Sequence, residues 1–146
     1  LYAVDLKFGP KVAAGGSLTT MPAGTFRSFM GHLVSIDKDL DWRTDVAYVG
    51  RTIHDGSLPW RGKMYRLTMK CPAAPCTPAT WGIASGGNRV PTEIIDTFYD
   101  TPTGTTYEVG PIAAAPAVTI DDTNKIWVFF GTGRYFGNAD KVDNSI

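Results

Sequence analysis

Residues 35–50 read SIDKDLDWRTDVAYVG, a run of acids that passes without a break into an apolar strand pattern. Asp37, Asp39, Asp41 and Asp45 fall at positions 1, 3, 5 and 9 of a loop, and Val46-Ala47-Tyr48-Val49 follows at once. The β-branched and aromatic run has the composition of a strand. Alternate positions on a short turning backbone aim their side chains at one centre. Carboxylates that close repel one another by roughly 1 kcal/mol or more per pair, even when partly screened. Two arrangements relieve the repulsion. In the first, a cation sits among the acids. Ca2+ suits them, because it takes about six to eight hard oxygen ligands in flexible geometry, backbone carbonyls included. In the second, the loop is a solvated acidic turn before an edge strand, with Lys38 and Arg43 as local counter-charges. The pattern departs from an EF-hand, since position 6, normally Gly, is Trp42 and position 12, normally a bidentate Glu, is Tyr48. A calcium loop between β-strands fits better, with Asp45 closing the shell directly.

Working outward, the same order returns near the C-terminus. Val34-Ser35-Ile36-Asp37, the loop and Val46 to Gly50 are echoed by Val118-Thr119-Ile120-Asp121, a shorter loop and Lys125-Ile126-Trp127-Val128-Phe129-Phe130-Gly131. Each copy reads strand, acidic turn, apolar strand, Gly. LYAVDL at Leu1 to Leu6 and MYRLTM at Met64 to Met69 form a second matching pair. Between these lie TWGIAS (Thr80 to Ser85), a short strand closed by Gly86-Gly87-Asn88, and EIIDTFY (Glu93 to Tyr99), a short apolar segment before the turn TPTGTT. Asp55-Gly56 is a hairpin signal. Thr25 to Val34 is ambiguous in period, with Phe29 and Met30 at helical spacing from Phe26, and reads as a strand because the acidic loop and a second strand follow at once. This circuit predicts an all-β chain, a fragment of a β-propeller of about two blades. The repeat of about 80 residues exceeds a bare blade of ~40–50, so insertions fill the difference. Residues 1–146 are then a partial propeller domain, expected to be a piece of a longer polypeptide because LYAVDL reads as a strand already under way and because isolated blades leave open edges.

Composition supports the same class. Sixteen glycines, ten prolines and 12% aromatics against only 19% charged residues suit short strands joined by tight turns. Fourteen basic and fourteen acidic residues balance to a formal charge of zero, which disfavours nucleic acid. No apolar run reaches the length of a membrane span. Cys71 and Cys76 in CPAAPC are spaced too widely for a CxxC motif and have no partners for a zinc site. Two prolines pre-bend their loop, which suits a small-loop disulfide in an exported protein. A pair of free thiols is the alternative.

These residues resemble the C-terminal β-propeller of the PilC/PilY family of type IV pilus biogenesis and tip-adhesion proteins. The resemblance is carried by DKDLDWRTDVAYVG, by GKMYRLTM (Gly62 to Met69) and by PIAAAPAVTIDDTNKIWVFFGTGRY (Pro111 to Tyr135). Lys7 to Thr25 and Cys71 to Thr106 match nothing specific. The resemblance implies calcium ligands at Asp37, Asp39, Asp41 and Asp45, with a backbone carbonyl from Arg43 at position 7. Trp42 stands where the family often has Gly. It further implies a non-enzymatic role in pilus assembly, control of retraction and surface or host-cell adhesion, at a bacterial pilus tip or outer-membrane-associated. The implied partners are minor pilins, a surface or host-cell target and the remaining blades of the same propeller.

Two other readings compete. A quinone-dependent dehydrogenase-like propeller also contains LYAVD-type hairpins, but His32 and His54 are isolated, with no nucleophile or paired acid beside them. An integrin-like calcium propeller predicts an acidic loop in nearly every blade, whereas the second copy holds only Asp121, Asp122 and Asn124 and is three residues shorter. Trp127, Phe129 and Phe130 read as inter-blade core, while Trp42, Trp60 and Trp81 are candidates for a partly exposed adhesive cluster, with packing the commoner fate of such residues. Gly131-Thr132-Gly133 lacks the strand-to-helix context and Lys of a phosphate loop.

Overall fold

In the computed structural model, residues 27–54, 56, 59–69, 81–85 and 88–133 are described. LYAVDL, the turn-rich connection after it, Cys71, Cys76 and Arg134-Tyr135 lie outside that set. Among the described residues every regular element is a strand, and the sheets are antiparallel. A four-stranded sheet has the order β1 (Arg27–Ile36), β2 (Val46–His54), β3 (Arg61–Thr68), β6 (Thr92–Ile95). Three two-stranded ribbons accompany it. They are β4 (Ile83–Ser85) with β5 (Asn88–Val90), β7 (Thr97–Asp100) with β8 (Thr105–Glu108), and β9 (Ala117–Ile120) with β10 (Ile126–Phe129). The ambiguous segment around Phe29 is therefore strand, in β1.

Two compact units divide the described chain. One contains residues 35–47, 66–69, 81–85 and 88–92; the other contains 27–34, 48–54, 56, 59–65 and 93–133. In the first, the backbone of Asp45 is held at both sides: its N–H donates to the Ile36 carbonyl at 2.9 Å, and its carbonyl accepts from Met69 N–H at 2.8 Å. Gly82, at φ +72°, donates its N–H to the Thr68 carbonyl at 2.8 Å. A strand was expected over Thr80 to Ser85; Thr80 lies outside the described residues, Trp81 and Gly82 are in the bend, and β4 begins at Ile83.

The second unit is organised by the glycines of its strands. The apolar run was expected to end at Gly50, but β2 continues through it to His54, and within this unit every residue from Tyr48 to Ile53 is buried. Burial on both faces marks a central strand, and each fully buried Val or Ile side chain contributes about 1.5–3 kcal/mol. Gly50 sits mid-strand because another backbone approaches it closely. Residues 109–113, VGPIA, cross the sheet here as a strap. Gly62 N–H donates to the Val109 carbonyl at 2.6 Å, and His32 N–H donates to the Ala113 carbonyl at 3.3 Å. A Cβ on Gly31 would lie 2.7 Å from the Ala113 carbonyl oxygen, one on Gly50 2.6 Å from the Ile112 carbonyl oxygen, and one on Gly62 2.9 Å from Ile112 Cγ1. Gly31, Gly50 and Gly62, on three adjacent strands, thus form the lane that receives Ile112, which is fully buried. Ile112 also bridges Gly133 in parallel, and Gly133 N–H donates to the Pro111 carbonyl at 2.7 Å.

Charged pairs finish this unit. EIIDTFY is two strands, not one segment, because the chain bends at Asp96 and its carbonyl accepts from Val109 N–H at 2.8 Å. Lys63 Nζ reaches Glu93 Oε2 at 2.9 Å and Asp96 Oδ2 at 3.4 Å, and Arg61 Nη1 reaches Glu108 Oε1 at 2.8 Å. Burial works to lower the Lys63 pKa, but the hydrogen bond and charge of Glu93 outweigh it and hold the ammonium above its ordinary value. Burial likewise works to raise Asp96, and Lys63 outweighs it, leaving that carboxyl below its ordinary value. All these groups are partly solvated, so each pair contributes only up to about 1 kcal/mol. Arg51, buried in β2, donates to Ser28 Oγ at 2.9 Å. Burial pushes the Tyr65 phenol up, and the neighbouring Arg51 guanidinium partly offsets this.

Candidate metal centre

The loop between β1 and β2 brings three of its four aspartates together. Asp37, Asp39 and Asp45 each offer a carboxylate oxygen such that the three oxygens lie within 4.8 Å of one another. Asp45 is buried, Asp37 is half-buried and Asp39 is exposed. Oxygens this close repel by about 1–3 kcal/mol per pair at an effective dielectric between bulk water and a protein surface. Among the described residues no other group of three or more acidic, His or Cys side chains gathers this tightly.

Backbone N–H groups hold the loop in shape. Asp37 Oδ2 accepts from Trp42 N–H at 2.7 Å and its Oδ1 from Asp41 N–H at 3.2 Å, so one carboxylate closes the turn. Asp45 Oδ2 accepts from Lys38 N–H at 2.8 Å. These bonds coil the chain so tightly that Leu40 and Trp42 take φ of +59° and +68°. Trp42 is the residue at position 6, where a glycine is normally found. The left-handed conformation that makes Gly the usual choice is therefore kept here by an L-residue, at a cost of roughly 1–2 kcal/mol. Its side chain is 96% exposed and Leu40 is 81% exposed, so packing does not offset that cost.

Asp41 stands outside the group of three. Its Oδ1 accepts from Arg43 N–H at 2.9 Å, a local turn two residues long. Of the five expected ligands, the structure gathers the carboxylates at positions 1, 3 and 9, and links positions 5 and 7 to each other. The all-oxygen, carboxylate-rich set fits a hard cation such as Ca2+, with further oxygens from backbone or water.

The second acidic turn has a different construction. Asp121 Oδ1 accepts from Thr123 N–H at 2.9 Å, Thr123 Oγ1 at 2.7 Å and Lys125 N–H at 2.9 Å, and its Oδ2 accepts from Trp127 Nε1–H at 2.8 Å. Protein donors thus hold both oxygens. The hydrogen bond from Trp127, followed by those from Lys125 and Thr123, pulls the carboxyl down to about 2. Asn124 supplies the left-handed turn at φ +64°. In sequence this turn is a shorter, metal-poor echo of the first. It is a self-contained hairpin lock, and the legible signal is Asp121 six residues before Trp127, with Asn124 in the turn between them.

The remaining candidate groups scatter. His54 lies against Trp60 with centroids 4.6 Å apart and the rings tilted by 31°, Trp60 contacts Phe29, and His32 serves the strap through its backbone. Trp60 and Trp81 are half-exposed. Trp127 and Phe129, read as inter-blade core, are 52% and 59% exposed within this chain, on one face of the β9–β10 ribbon, while Phe130 is half-buried. Cys71 and Cys76 lie outside the described residues. No helix among the described residues is long and apolar enough to cross a membrane. Compared with known proteins, the chain matches no family model, no curated protein and no solved structure.

Proposed function

We propose that this chain is a non-catalytic, calcium-binding β-propeller module of the PilC/PilY kind, serving type IV pilus assembly, control of retraction and surface adhesion outside the bacterial cell. The observation that carries the calcium reading is the meeting of Asp37, Asp39 and Asp45 within 4.8 Å. Bound Ca2+ would cancel the repulsion among these carboxylates and fix the loop, so its role is structural and no reaction runs through it. The pilus reading rests on the resemblance of residues 37–50, 62–69 and 111–135, and all-β architecture is compatible with it. Minor pilins and a surface or host-cell target are the partners it implies.

Calorimetric titration tests the site. The unaltered chain is expected to bind Ca2+, and Asp39→Asn combined with Asp45→Asn to abolish the binding heat. Asp41→Ala is expected to weaken affinity less than either single change, because Asp41 lies outside the group of three. Unchanged affinity in the double variant would remove the metal assignment. A binding assay against purified minor pilins, with calcium and with chelator, tests the assembly role separately. No binding in either condition would remove that role and leave the metal site standing.

A further inference from the structure

We draw no further inference here: the strongest candidate, the exposed aromatic face that Trp127 and Phe129 present on the β9–β10 ribbon, carries nothing because nothing in the structure shows what covers it.

Discussion

At the scale of single residues, Trp42 and Asp121 make opposite bargains. Trp42 holds a left-handed backbone without gaining packing, since its ring is 96% exposed. Trp42→Gly is therefore expected to stabilise the protein by about 0.5–1 kcal/mol, once the larger entropy loss of glycine is subtracted from the relief of strain. Chemical denaturation of the two proteins measures this, and a destabilised variant would show that the indole makes a contact worth more than the strain. Asp121 instead satisfies four donors with one exposed carboxylate. Its folded pKa of about 2 lies below the unfolded value of about 3.9. A carboxyl depressed on folding stabilises fully above its unfolded pKa, and that contribution is lost as pH falls through the folded value. The Trp127 indole N–H resonance should accordingly stay constant from neutral pH to about 4 and move only on approach to pH 2. Asp121→Ala should shift it at every pH. An indole resonance that titrates near 4 would show that these hydrogen bonds do not hold the carboxyl below its ordinary value, and one that does not move at all would place the carboxylate out of contact with the ring.

Secondary-structure elements bring in the strap. Gly31, Gly50 and Gly62 sit on β1, β2 and β3, and all three abut residues 110–113. Gly50→Ala would drive a methyl into the Ile112 side chain and its carbonyl oxygen, 2.6 Å from the new Cβ, at a buried position of the central strand. Overpacking of this kind costs about 1–3 kcal/mol. Ile112→Ala, at a fully buried site, should cost about 2–5 kcal/mol through lost transfer energy and a cavity. Because one side chain enters both losses, the double variant should be less destabilised than the sum of the two, by at least about 0.5 kcal/mol. Additive costs in urea denaturation would separate Gly50 from Ile112. The strands themselves were legible, since β-branched and aromatic runs bounded by Gly, Pro and Asp favour extended backbone locally. Their ends were less so. β2 passes through Gly50 because of a neighbour more than sixty positions away in the chain, and no local pattern announces that.

For the molecule as a whole, the proposed cation acts through linkage. A ligand that binds only the folded state raises stability by about 2.7 kcal/mol at a hundredfold excess over Kd, so added calcium should raise the melting temperature of the unaltered chain and not of the Asp39→Asn, Asp45→Asn variant. The effect should be felt locally as well. Asp45 carries the Met69 N–H on its carbonyl and donates its own N–H to Ile36, so calcium should slow hydrogen exchange at the Asp45 and Met69 amides more than at the Val109 amide. Equal protection at all three would mean that the cation does not act through this loop. Some of this could be read from the chain order alone. Strand, acidic turn and strand are set by neighbours in sequence: alternating aspartates cannot pack, and β-branched residues beside them cannot coil readily. Which carboxylates converge, and which are already used, is another matter. Asp41 turns aside to its neighbour's N–H, Asp121 is filled by an indole returned by its own hairpin, and three distant glycines meet one isoleucine. Each of those outcomes depends on donors and backbones that folding alone brings within a few ångströms, and hydrogen bonds and steric contact act only at that range.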